Sequence, residues 1–284
     1  MILSIKNEYI TALFSDFGAE LKSLVFDGEE YIYPGDKAFW EGSSPVLFPI
    51  CSGLKNDTYI YCGKEYIMPK HGFAKDLLFN VESRSENEIV FLLRDNEETF
   101  KVYPFHFEFR ITYTLVGKAL NVKYDIVNLN DCEMYCSFGA HEGYYCPEGI
   151  EDYDIILPKN TTLYHTNLTK DNLLGKEKVQ IIENKDTLPL TYKYFDYDAL
   201  IFENIDFNSL ILKNRSSGKG VRVTFKDFPY LLLWTRPNAP YICVEPWCGI
   251  TDKEWCDQKI QNKEGIKTVK ANETLTRIHS VEIL

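Results

Sequence analysis

No stretch of these 284 residues is apolar for long enough to cross a bilayer as a helix. The N-terminus, Met1-Ile2-Leu3-Ser4-Ile5-Lys6, has no charged leader followed by a long apolar run. The expectation is a soluble, cytoplasmic protein. Basic charge is scarce: 31 Lys and Arg against 42 Asp and Glu leave a net charge of −11. That balance repels phosphate backbones and anionic lipid, and no basic patch relieves it, so neither nucleic acid nor a membrane surface is expected as a partner. The eight cysteines are too sparse for the framework of a small secreted domain. Cys132 and Cys136 are spaced CxxxC, Cys243 and Cys248 CxxxxC, and there is neither a CxxC pair nor a histidine in zinc-finger spacing. No disulfide and no metal site is expected; the thiols read as small hydrophobes. Five Asn-x-Ser/Thr matches, at Asn56, Asn160, Asn167, Asn214 and Asn272, have no secretory signal to give them meaning.

Helix signals are also few. Thr251-Asp252-Lys253-Glu254 has the form of a capping box and predicts a turn or two of helix through Cys256. Strand signals are everywhere. Phe107, Phe109, Ile111, Tyr113 and Leu115 alternate with polar residues, and after Val116-Gly117-Lys118 so do Leu120, Val122, Tyr124 and Ile126. Asp27-Gly28 sits between Val25-Phe26 and Tyr31-Ile32-Tyr33, and Gly63 between Tyr59–Tyr61 and Tyr66–Met68, as tight hairpin turns require. Ser209–Leu212 and Val221–Phe225 flank a polar turn, and Leu275–Leu284 reads as a closing strand. Short, evenly spaced strands argue for an all-β antiparallel sandwich or barrel-like architecture. No linker or composition shift divides residues 1–284, so one domain is expected.

The chain is organised around Leu231–Asp252, LLLWTRPNAPYICVEPWCGITD. Tyr241–Val244 reads as a strand that Glu245 ends, because Pro246 cannot donate to a ladder. A carboxylate held there beside Trp234 and Trp247 has the surroundings that raise a carboxyl pKa and make a base, although a solvated strand-end Glu fits the same letters. Among the five histidines, His106 falls on a solvated face, His165 in a polar loop, and His279 near the C-terminus without catalytic context. His71 precedes Gly72, and His141 stands in Phe138-Gly139-Ala140-His141-Glu142-Gly143. Taken singly, each reads first as a satisfied structural histidine and only second as a catalytic one.

Seven segments in order then resemble the aldose 1-epimerase (galactose mutarotase-like) family, in its LacX-type branch. They are SDFGAELKSL from Ser15, FWEGSSPVLFPI from Phe39, GKEYIMPKHGFAK from Gly63, YPFHFEFRITYTL from Tyr103, FGAHEGYYCP from Phe138, FDYDALIF from Phe195 and APYICVEPWCG from Ala239. The resemblance covers nearly the whole chain. It implies an antiparallel β-supersandwich with a sugar in an open cleft, His141 as general acid, Glu245 as general base, His71 hydrogen-bonding near the ring oxygen, and Asp198 binding sugar hydroxyls. It implies no cofactor.

Three departures stand out. Where the family often has Gly-Arg-Leu after the FPI run, this chain has Ser52-Gly53-Leu54, so the substrate-anchoring arginine is absent. Lys75 replaces the arginine after HGFA, and Glu142 the proline after the GAH run. Losing a bidentate guanidinium disfavours a phosphorylated sugar. The implied function is a mutarotase for a free hexose. The alternatives are a carbohydrate-binding protein without useful turnover and a hexose-6-phosphate mutarotase.

Overall fold

The computed structural model describes residues 1–284. Its centre is a 14-stranded sheet. Its hydrogen-bonded path runs Phe138–Gly139, Tyr241–Cys248, Tyr230–Trp234, Leu200–Glu203, Tyr153–Leu168, Ser209–Asn214, Gly220–Thr224, Thr274–Ile283, Ala119–Asn128, Phe107–Val116, Glu88–Arg94, Asn80–Arg84. Glu142–Tyr145 also pairs with Tyr241–Cys248, and Leu174–Pro189 with Tyr153–Leu168. Every strand pairing in this sheet is antiparallel. A four-stranded N-terminal sheet, Ile2–Lys6, Ile10–Ser15, Leu21–Phe26 and Glu29–Glu30, accompanies it. The all-β antiparallel expectation holds.

Local chemistry explains the hairpins. Asp27 and Gly28 have φ of 50° and 79°, and Cys62 and Gly63 of 49° and 76°, the two successive positive values of the tight turn that matches strand twist. In Phe107–Val116 every second side chain is buried and its neighbour half-exposed, as the alternation predicts. The inward residues join one core cluster of 63 buried residues extending from Ile5 to Ile283. The eight cysteines are free thiols. No helix is long and apolar enough to cross a membrane.

Three local expectations fail, each for a physical reason. Thr251–Cys256 forms no helix, because its capping groups are committed elsewhere. Asp252 takes the buried Lys263 Nζ at 2.8 Å and the Lys55 amide at 2.9 Å, and Thr251 Oγ1 donates to Gly53 O at 3.1 Å. The α-helix is instead Glu97–Val102, capped by Asn96. His165 lies in a strand, not a loop: its Nδ1 accepts the Ile201 amide at 2.9 Å. Glu245 does not end its strand, which continues through Pro246 to Cys248. The missing Pro246 N–H is accommodated by a substitution of donors. Ala140 N donates to Pro246 O at 3.1 Å, while Ala140 O, which a non-proline amide would have reached, accepts the Trp247 indole N–H at 2.9 Å.

Candidate active site

That proline sets up the site. Gly139 pairs with Trp247 and Glu142 with Val244, so constant register puts His141 directly opposite Glu245. Ala140 and Pro246 occupy the hydrogen-bonded position, which leaves His141 and Glu245 as the non-hydrogen-bonded pair, where side chains come closest. His141 Nε2 lies 3.3 Å from Glu245 Oε2, with Glu245 only 1% exposed and His141 8%. The two glycines flanking His141 make room for aromatic walls. A Cβ on Gly139 would stand 2.4 Å from Trp247 Cδ1, and one on Gly143 3.2 Å from Trp40 Cζ3.

His71 reaches the same place from another loop. Its φ is 68°, and Gly72 follows at 71°, where a Cβ would lie 2.2 Å from Phe48 O. Only glycine fits there. Ser52 clasps His71 twice: the His71 amide donates to Ser52 O at 2.8 Å, and the Ser52 amide donates to His71 Nδ1 at 3.1 Å. Nδ1 is therefore the acceptor, and neutral His71 carries its proton on Nε2. The His71 ring is 5.5 Å from that of His141 and 5.6 Å from Trp247, while Trp40 and Trp234 stand 5.3 Å and 5.9 Å from His141. Asp198, half-buried, spends Oδ1 on the Ala199 amide at 2.8 Å.

All four residues singled out by sequence, His71, His141, Asp198 and Glu245, line one cavity of about 630 Å³. A smaller cavity of about 340 Å³, between Tyr31, Tyr145 and Lys219, holds none of the four, and among its polar groups Tyr153 OH is engaged by Glu148 and Lys219 by Glu29. The larger cavity is the candidate site.

Burial dominates its electrostatics. The Glu245 carboxyl is held well above its usual range by desolvation; Lys70 opposes the shift, and Asp198 and Glu142 reinforce it. Desolvation lowers His141 to about 3, and with the charges of His141 and Lys70 it takes His71 well below the imidazole range. A contact of 3.3 Å satisfies the geometric definition of an ion pair, yet both shifts favour neutral forms. Both groups are buried and the contact is long for a charge-assisted bond, so burial favours the uncharged pair, with its single proton on the carboxyl.

Sequence reading missed several lining groups. Trp40 lay inside a quoted segment without a role, and Ser52, Lys70 and Arg236 had none. Gly53 is not among the lining residues, but Arg236 is, so the cleft does hold a guanidinium; it lies 5.8 Å from the centre of the Trp234 ring. His279 was placed without context. Its Nε2 is in fact 2.8 Å from Glu142 Oε1, both residues buried, on the opposite face of the strand that follows His141. His106 is exposed as expected, with Nδ1 2.7 Å from Asp95.

Fold and cleft together define an all-β, mutarotase-like architecture with a buried imidazole–carboxyl pair. The chain belongs to the aldose 1-epimerase family, whose model matches residues 1–280. It is 33% identical to the plasmid-encoded protein LacX of Lactococcus lactis subsp. lactis, over the full length of both. Among solved structures it is similar to a galactose mutarotase related enzyme from Lactobacillus acidophilus, with 33% identity, a TM-score of 0.95 and coverage of 100% of this chain and 97% of the other. A galactose mutarotase-like protein from Lactobacillus casei is 30% identical at a TM-score of 0.95, with both chains fully covered.

Proposed function

We propose that residues 1–284 form one catalytic domain, an aldose 1-epimerase that interconverts the α and β anomers of a free hexose. The observation that carries this reading is the cross-strand pair His141–Glu245, 3.3 Å apart and buried in the floor of the cleft. Sugar hydroxyls entering the cleft supply the polar contacts that burial removed and let the proton move to His141, leaving Glu245 as carboxylate. Glu245 then takes the proton of the C1 hydroxyl while His141 gives its proton to the ring oxygen. The bond from C1 to the ring oxygen breaks, and an open-chain aldehyde forms. Rotation about C1–C2 and ring closure, with the two residues exchanging roles, return the other anomer. The proton count is unchanged at the end, so proton transfer alone completes the cycle.

The other residues position the ring. His71 presents Nε2–H toward the ring oxygen, Asp198 accepts from sugar hydroxyls through its remaining oxygen, and Trp40, Trp234 and Trp247 offer apolar faces to the sugar's C–H groups.

A second reading has one observation in its favour. Lys70 and Arg236 line the cleft, exposed and without an ion-pair partner, whereas Lys75 is engaged by Asp76. An anionic substituent on the sugar would meet two uncompensated cations.

Glu245→Gln tests the main reading, since Gln keeps the size of Glu but cannot take a proton at neutral pH. Loss of one acid–base partner should lower kcat by at least ~10²-fold, with sugar affinity changed far less. His141→Asn should act alike, and the double variant should lose less than the product of the two, because the residues act as a unit. Anomer exchange by NMR beside a binding titration decides. Wild-type turnover in Glu245→Gln removes Glu245 as the base, and a wild type that binds sugar without exchange leaves a carbohydrate-binding protein.

A further inference from the structure

Cys243 belongs to neither the lining of the cleft nor the proposed chemistry, yet the strand that carries Glu245 aims it at the same spot. Side chains alternate along Tyr241–Cys248: Ile242 and Val244 enter the main core, while Cys243 packs on the other side with Tyr33, Ala239 and Tyr241. Cys243 and Glu245 therefore share a face, two residues apart. One ligand atom from each of His141, Cys243 and Glu245 lies within 4.8 Å of the other two, and all three residues are buried. Two further atoms point to an unmet ligand: His141 Nδ1 and Glu245 Oε2 are buried without a hydrogen-bond partner.

We propose that His141, Cys243 and Glu245 form a binding site for a thiophilic divalent cation of the zinc class, and that its occupancy shuts the cleft to sugar. The donor set is one thiolate, one imidazole and one carboxylate, the mixture zinc accepts with a fourth position left open. Calcium and magnesium, which need six or more oxygens or ordered waters, find only one carboxylate here. Zinc bonds of about 2.0–2.3 Å place tetrahedral donors roughly 3.3–3.8 Å apart, so the donor atoms need close in by at most about 1–1.5 Å. His141 and Glu245 both border the cavity, which gives the ion its entry and puts the open position where the sugar would sit. Binding sends the thiol proton and the proton of the pair to solvent. An ion held there occupies the acid and the base together. The inhibitory consequence rests on the acid–base reading above; the binding does not.

The test uses the full chain, freed of metal with a chelator that is then removed. Zinc is titrated calorimetrically, and cobalt is added separately to look for the thiolate-to-cobalt charge-transfer absorption that only a cysteine ligand produces. The expected result is one ion per chain, a charge-transfer band in the wild type, and a band absent from Cys243→Ala and Cys243→Ser. Loss of partners one shell beyond a metal typically costs about 10- to 100-fold in affinity, so loss of the thiolate itself should cost at least ~100-fold. Anomer exchange of the metal-free wild type should be inhibited by zinc and restored by chelator. Both Cys243 variants should exchange anomers at the wild-type rate and resist zinc. Two thiol replacements of different polarity guard against one that misfolds. No zinc binding, or zinc binding equally tight in both Cys243 variants and in His141→Asn, overturns the site. If metal-free wild type shows no anomer exchange, the mutarotase reading fails, while calorimetry and the cobalt spectrum still decide the metal site.

Discussion

A carboxyl whose pKa burial raises and an imidazole whose pKa burial lowers have unusual consequences for pH when they touch. In the proposed mechanism Glu245 and His141 act with one proton between them. Below about pH 3, where His141 is pushed, the pair takes a second proton. Above the raised pKa of Glu245 it has none. The single-proton window therefore extends further to the acid side than an ordinary histidine at about 6.5 would allow. The prediction concerns kcat/KM, which reports the free protein. Corrected for the spontaneous reaction, kcat/KM should show no acid limb near 6.5 between about pH 5 and 8, and should fall only as pH rises through the carboxyl's raised pKa. An acid limb at the ordinary histidine position would mean that His141 titrates as though exposed, contrary to its burial. His71, also driven neutral by burial, should add no acid limb of its own.

At the scale of the element, the short strand Glu142–Tyr145 is held from both sides. It follows His141 of the cleft directly, and its core face carries Glu142, bonded to His279 of the strand Thr274–Ile283, on whose ring Tyr124 stacks at 5.6 Å. Glu142 Oε2 and His279 Nδ1 have no other partner, so the pair depends on its single bond. Breaking a buried acid–base pair from one side typically costs about 3–5 kcal/mol, because the survivor stays buried and unpaired. His279→Leu should therefore lower stability by about that amount in urea denaturation, and adding Glu142→Gln should recover part of it. Equal stability of His279→Leu and wild type would show that the contact contributes nothing.

That strand was not legible beforehand, although many others were. The alternation of Phe107–Leu115 and Leu120–Ile126 gave the strands, because one buried face forces a period of two. Asp27-Gly28 and Gly63 gave the turns, because glycine admits the positive φ that both turns adopt. Local context singled out Glu245, His71 and His141 without deciding their roles; the roles, and Asp198 altogether, came from a family resemblance, and their convergence needed the register of strands distant in sequence, which no local pattern contains. The pairing of Glu142 with His279 was hidden for the same reason. Pro246 misled because a ladder position was treated as needing its own amide, whereas the indole N–H of the next residue, Trp247, supplied the donor. The capping-box letters at Thr251 misled because a buried lysine, Lys263, competes for the same aspartate.

At the scale of the whole molecule, charge decides what kind of sugar the cleft admits. A net charge of −11 would repel a phosphate or carboxylate at long range. At physiological ionic strength, however, exposed charges are screened beyond about 8 Å, so an anion inside the cleft responds to the groups lining it. Those groups include Glu20, whose Oε1 accepts the Ser43 and Ser44 amides and whose Oε2 meets Lys22, and Asp76, which engages Lys75. Lys70 and Arg236 have no such partner. Lys70 also acts on the reaction centre, since its charge opposes the rise of the Glu245 pKa and depresses both histidines. For a free hexose these cations meet only uncharged hydroxyls, and Arg236→Ala should lower kcat/KM by about 2- to 10-fold, as a hydrogen bond without an opposite charge contributes about 0.5–1.5 kcal/mol. A hydrogen bond to a charged group contributes about 1.5–3 kcal/mol, so for hexose 6-phosphate or a hexuronate the same substitution should cost roughly 10- to 100-fold. Lys70→Met should show the same contrast, with a further change in the alkaline limb of the pH profile because the cation that steadies ionised Glu245 is gone. The measurement is anomer exchange for a neutral and an anionic hexose on wild type and both variants, at two salt concentrations. Greater loss for the anionic sugar, diminished by salt, assigns Lys70 and Arg236 to an acidic substituent and favours the second reading wherever wild-type kcat/KM is also higher for that sugar. Equal loss for both sugars would show that the two side chains shape the cleft rather than read charge.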